Sequence, residues 1–322
     1  MDRWRSATVG SVVPPSSPSP DPALPARTIR LDRELPVRAI GARSGLLWSR
    51  DDLVLAGIGR VAEVPIDRPG GHGAAASALA RLAGGPPSVG AQDGREAAGP
   101  AAGPVAFAAL PFDPDRPGAL VVPRVLIGAD RSGRRWLTAI GTDPEVELAA
   151  IEAQLVPPAG RSGASPGGPD HLDPLRFDLR SPLAPETWRD EVVGRARDRI
   201  ADGLLDKAVL ARELVLETDR PIRPELVVER LHGAFPTAIL FLVDGFVGAS
   251  PELLVSRRGD VVRAHPLAGT AARATDPALD QRRMAELLGS GKDRWEHRIT
   301  IDWLLDNLLP FCSYVDAEPE PS

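Results

Sequence analysis

The chain has 322 residues, 43% of them hydrophobic and 25% charged, with a formal net charge of -6. This allows one large or two ordinary domains with a sizeable core, and the acidic balance argues against a general nucleic-acid surface. No stretch approaches the roughly 18 uninterrupted apolar residues of a membrane span, and the single cysteine, Cys312, excludes an intrachain disulfide or a thiolate metal cluster. The start, Met1 to Arg5, leads to Pro14-Pro15-Ser16-Ser17 without an apolar run, so no secretory signal is read and a soluble cytoplasmic protein is expected.

The Pro/Ser-rich start predicts a disordered tail over 1–28. From Ile29 short strands are expected. Gly45 to Gly57 predicts a hairpin turning at Arg50-Asp51-Asp52. Ala74 to Leu82 is a short Ala-rich helix candidate, followed by a Gly/Ala/Pro loop from Gly84 to Gly103. Pro104 to Leu110 and Leu120 to Ile127 read as strands, as does Trp136 to Ile140 after a turn at Arg131 to Arg134. These make 29–156 a β-rich part. The segment 157–172 is a Gly/Pro/Ser-rich loop, either a linker or a surface connection.

The second half is more periodic. Trp188, Val192, Ala196, Ile200 and Leu204 recur at helical spacing, and Gly203 and Asp206 end that helix. Lys207 then opens an expected strand, Ala208 to Leu216. A helix follows Pro224, then a buried strand over Ala238 to Val243 returns through Asp244-Gly245. Leu253 to Ser256 and Val261 to Ala264 flank a second turn. Asp276 to Leu288 and Lys292 to Leu309 read as helices broken at Gly289-Ser290-Gly291. Helices with runs of antiparallel strands fit an α+β fold better than a doubly wound parallel sheet.

Four short runs could carry chemistry. Lys207 sits beside apolar Ala208, Val209 and Leu210; burial disfavours a lysine's charge and can make it a base. Alone, it reads equally as a solvated lysine beside Asp206. Glu252 follows Gly248-Ala249-Ser250-Pro251, small residues that let backbone approach a ligand, so it could be a buried acid or an ordinary surface glutamate. Pro266-Leu267-Ala268-Gly269-Thr270 ends in a loop whose N–H groups and hydroxyl could bind a carboxylate, or which is simply a turn. Asp293 and Glu296 are three apart and share a helix face, suiting Mg²⁺ or else water. There is no Walker or Rossmann glycine loop and no nucleophile elbow.

Taken together and in this order, the four runs resemble the chorismate-utilising enzymes, and most closely the isochorismate synthases. The resemblance is faint from Gly45 and strong from Asp206. It implies antiparallel sheets forming a central core with helices outside, and a catalytic region at 173–322 that binds chorismate. It further implies that Lys207 activates a water to attack C2, that Glu252 protonates the departing C4 hydroxyl, and that Ala268, Gly269 and Thr270 contact substrate. Mg²⁺ on Glu296, with Asp293 beside it, would hold the C1 carboxylate. The product would feed menaquinone or siderophore synthesis in a cytoplasmic monomer. The ammonia-using anthranilate and aminodeoxychorismate synthases generally lack the base lysine, and the latter carry a lysine where this chain has Ala268. Salicylate synthases keep the base lysine and are the second reading. The family's catalytic domain extends beyond the equivalent of Ser322 and carries a second metal-binding glutamate there. The chain is therefore expected to be C-terminally truncated, its fold incomplete and the 322 residues inactive alone; an inactive fragment or ligand-binding pseudoenzyme is the reading from another class.

Overall fold

The computed structural model describes residues 26–50, 53–66, 99–111, 113, 116–155, 175–258 and 260–318. Most of the expected tail, the helix candidate at Ala74 to Leu82, most of the loop after it and all of 157–172 lie outside these. The chain divides into two compact units, one of Met1–Pro157 with Leu242–Phe246 and one of Pro158–Phe241 with Val247–Ser322.

The first unit is built on an antiparallel sheet. Its strands are β1 (Ala26–Arg30), β2 (Leu46–Arg50), β3 (Leu53–Ile58), β7 (Val125–Asp130) and β8 (Arg135–Ile140), in the order β1-β8-β7-β3-β2. The segment Leu242–Phe246 also belongs to this unit. The expected tail boundary at 28 is corrected: Ala26 already pairs with Ile140 and Thr28 with Thr138. The expected hairpin is present, with Arg50 opposite Leu53.

Side chains alternate across the sheet as the two-residue period of a strand requires. Val125, Ile127, Leu137 and Ala139 face one side, where α1 (Val37–Ser44) contributes Val37 and Ile40 and α2 (Pro144–Leu155) contributes Ile151. Leu126 and Trp136 face the other side with Phe107 and Val121. Phe107 and Val121 belong to a three-stranded sheet of β4 (Ala62–Ile66), β5 (Phe107–Ala108) and β6 (Gly118–Val122), ordered β4-β6-β5. Burying each such large apolar side chain contributes about 1.5–3 kcal/mol. The expected strand Leu120 to Ile127 is corrected to the ends of two strands in two sheets. They break at Pro123-Arg124, where proline has no N–H to give a ladder. The expected strand Pro104 to Leu110 is only Phe107–Ala108. The sequence pattern does not predict α1 or α2.

In the second unit β9 (Phe177–Arg180) pairs with β10 (Val215–Thr218). A single α-helical turn at Pro185–Thr187 and a π-helical stretch at Trp188–Val193 lead into α3 (Gly194–Ala201). The chain leaves this run at Gly203, where φ is +69°, a left-handed conformation that glycine takes without steric cost. α4 (Pro224–Ala234) starts on proline, which suits the first helical turn. β11 (Ile239–Val243) and β12 (Phe246–Ser250) turn at Asp244-Gly245, both with positive φ as a type I′ turn demands. β13 (Leu253–Arg258) and β14 (Val261–His265) form a bulged antiparallel pair. The two last helices are capped as their sequences suggest. Asp276 accepts the Leu279 N–H at 2.8 Å ahead of α5 (Pro277–Gly289). Ser290 Oγ accepts the Asp293 N–H at 3.3 Å ahead of α6 (Gly291–Leu308). No helix among the described residues is long and apolar enough to cross a membrane.

Candidate active site

All the residues singled out from the sequence lie in the second unit, and their contacts join the four runs end to end. Lys207 is half-buried, and its Nζ donates to the Glu296 carbonyl oxygen at 3.3 Å and to Thr300 Oγ1 at 3.2 Å. The strand expected from Lys207 is corrected. Ala208 to Leu214 carries no regular structure, because only Val215–Thr218 finds a partner strand. Lys207 is therefore held by its side chain against α6 rather than by a ladder of its own.

Glu252 stands between β12 and β13. The Ser250 hydroxyl donates to the Glu252 carbonyl, and the Glu252 N–H donates to Ser250 Oγ, each at 3.1 Å. That pair of bonds closes a turn around Pro251 and aims the glutamate side chain. Glu252 Oε1 accepts the Leu267 N–H at 3.4 Å, which ties this run to the one ending in Thr270. Of the two readings of Glu252, the buried acid is corrected to the surface glutamate: the residue lies in the connection between β12 and β13 and is exposed.

Gly269 is the link to α6. Its φ is +80°, and a Cβ there would sit 3.1 Å from both Cβ and Oδ1 of Asp293. Glycine is needed here twice over, for its backbone conformation and for the room it leaves the carboxylate. Gly248 has a similar steric reason, because a Cβ there would fall 2.5 Å from Phe241 Cζ. Ala268 and Gly269 are half-buried and Thr270 is exposed.

Asp293 and Glu296, both half-buried, lie one turn apart on the same face of α6. Lys292 Nζ lies 3.6 Å from Glu296 Oε1, but its side chain is 82% exposed, so that ion pair holds Glu296 only weakly. Among the described residues no group of three or more His, Cys, Asp or Glu side chains converges. A pair of carboxylates nevertheless fits magnesium, which commonly takes one or two, with waters and substrate oxygens completing its shell. An open groove of about 630 Å³ lies on a different face of α6, against Arg294, Arg298, Ile301 and Asp302; none of the seven expected residues lines it.

Sequence reasoning missed Thr300, the Ser250 clasp and the Glu296 carbonyl. One signal was available. Lys207 and Lys292 are the only lysines among 38 basic residues, the rest being arginine. Arginine stays protonated in proteins, whereas lysine can give up its proton.

The profile of the family described as chorismate binding enzyme matches residues 39–322. MenF of Mycobacterium tuberculosis H37Rv is 38% identical over 231 residues, which is 68% of this chain and 53% of that protein. Isochorismate synthase DhbC of Bacillus subtilis is 34% identical over 210 residues, 60% of this chain and 52% of that protein. The chain thus spans about half the length of these relatives. The solved structure of MenF, the menaquinone-specific isochorismate synthase of Escherichia coli, superposes with a TM-score of 0.64 over 89% of this chain and 65% of that one. At 19% identity that likeness concerns the fold alone, which in this chain is α+β.

Proposed function

The chain belongs to the chorismate-binding enzymes, and on that premise we propose that it is an isomerase converting chorismate to isochorismate. One observation carries the proposal beyond the family: Lys207, a group able to act as a base, has its amine on the α6 turn that bears Glu296.

In this reading Lys207, in its neutral form, takes a proton from the water that attacks C2. Glu252, in its acid form, gives a proton to the hydroxyl leaving C4. One water is consumed, one is released and the protons balance, so the net change is an isomerisation. With Oε1 engaged by the Leu267 N–H, Oε2 is the oxygen that would deliver the proton. Ala268, Gly269 and Thr270 would border the substrate, with small side chains that admit it closely. Asp293 and Glu296 would hold Mg²⁺, which when bound offsets the charge of the substrate carboxylate. The product would feed menaquinone or siderophore synthesis, in the cytoplasm.

Incubating the protein, extended to the full length of its relatives, with chorismate and Mg²⁺ and separating the products tests this. Isochorismate should form without added ammonia and without release of pyruvate. Salicylate with pyruvate as the main product would move the assignment to a salicylate synthase, and no conversion would favour a ligand-binding relative.

The metal can be tested apart from turnover. Glu296→Ala removes a carboxylate but keeps the backbone carbonyl that receives Lys207. Titration calorimetry should show Mg²⁺ binding to the parent in the presence of chorismate and loss of that signal in the variant. Equal Mg²⁺ affinity in both would remove Glu296 from the metal site.

A further inference from the structure

We propose that Thr300 is a positioning residue for Lys207, fixing the direction from which its amine can take a proton; this rests on the reaction proposed above. A neutral amine has four tetrahedral directions: one to Cε, two N–H bonds and one lone pair. Two acceptors stand within reach of Nζ, Thr300 Oγ1 at 3.2 Å and the Glu296 carbonyl at 3.3 Å. When both N–H bonds are directed at them, the lone pair has one direction left, and a water to be activated must lie along it. The hydroxyl is itself oriented. Thr300 Oγ1 donates to the same Glu296 carbonyl at 3.3 Å, so its lone pairs are what it presents to the lysine. Threonine inside a helix commonly bonds back to the carbonyl four residues earlier; here the bond turns the hydroxyl into an acceptor.

The need for such a device follows from where Lys207 comes from. Among the described residues its segment pairs with no strand, and its stem has four rotatable bonds, so its backbone alone does not place the amine. α6 is a helix of 18 residues and supplies the fixed frame. The same turn carries the Glu296 carboxylate, so Thr300 also sets the distance between base and proposed metal ligand. Reaction rates are sensitive to this kind of placement, and misplacing a catalytic group by about 1 Å can cost about 100-fold.

The scarcity of lysine provides the test. In protein labelled with ¹⁵N-lysine only Lys207 and Lys292 give side-chain Nζ signals, and Lys292→Arg assigns them. ¹⁵N relaxation should find Lys207 more restricted than the exposed Lys292. Thr300→Val should bring its mobility close to that of Lys292, and Thr300→Ser, which restores the hydroxyl, should reverse this. With chorismate, Thr300→Val should lower kcat about 10- to 100-fold with little change in KM, and Thr300→Ser should recover most of it. In a Lys207→Ala background Thr300→Val should cause no further loss. A Lys207 Nζ equally restricted in the parent and in Thr300→Val would overturn the proposal, as would an unchanged kcat. Absence of turnover in the parent would overturn the reaction itself, and the relaxation comparison would then decide whether Thr300 holds the amine.

Discussion

Lys207→Ala is expected to lower kcat with chorismate by about 10²–10⁴-fold, the usual contribution of a positioned general base. KM should change much less, because the proton moves in the transition state rather than on binding. The sharper variant is Lys207→Arg. A guanidinium keeps the positive charge and can still donate to Thr300 Oγ1 and the Glu296 carbonyl, but it does not deprotonate in proteins. If Lys207 served only as a cation, Arg would retain most of the activity. If it is a base, Arg should fall nearly as far as Ala. Glu252→Gln makes the matching test of the acid, since the amide keeps an acceptor for the Leu267 N–H but cannot give up a proton to a leaving hydroxyl. Each variant is compared by steady-state kinetics after circular dichroism has shown the parent fold. Near-parental kcat in Lys207→Arg would make the lysine an electrostatic group; near-parental kcat in Glu252→Gln would remove the acid role.

Local chemistry made much of this fold readable. Asp244-Gly245 both take positive φ, and that dipeptide is a turn signal wherever it stands. Asp276 and Ser290 are caps because a short side-chain oxygen can reach a helix N–H two or three residues on. What failed depended on partners distant in sequence. Leu120 to Ile127 is one apolar run, and nothing in its pattern tells that its halves join different sheets. Ala208 to Leu214 is as strand-like in composition as Val215–Thr218, yet only the latter meets β9, and a strand is stabilised by its neighbours more than by its own residues. The site divides the same way. Lys207, Glu252, Gly269, Asp293 and Glu296 were visible as residue types in ordered motifs. The Glu296 carbonyl was not, because every residue has a carbonyl and only the fold selects one. Thr300 was reachable in principle, lying four residues after Glu296 and so on the same helix face.

Gly128→Ala should destabilise the first unit by about 3 kcal/mol, the upper end of the usual cost of overpacking a core. Gly128 lies directly opposite Trp136 across β7 and β8, and the fully buried indole covers it. A Cβ on Gly128 would fall 2.1 Å from both Cε2 and Cζ2 of the ring. The backbone is not the obstacle, since Gly128 is absent from the positive-φ glycines and alanine could adopt its conformation. The obstacle is space, and the ring has little freedom to yield it. Gly99 meets the same indole, with a Cβ position 2.2 Å from Cε3, and Leu126, Phe107 and Val243 occupy the surrounding core. Interiors packed to crystal density transmit such a strain rather than absorb it. Urea unfolding should show a lower midpoint with little change in slope. The cause can be isolated with Trp136→Leu. Alone, that substitution should destabilise by leaving a cavity, whereas in the Gly128→Ala background it should restore part of the lost stability by making room for the methyl group. Two substitutions that each destabilise and together do less harm than their sum would place the conflict between this methyl and this ring. Strict additivity, or an unchanged midpoint in Gly128→Ala, would mean that the indole does not depend on the glycine opposite it.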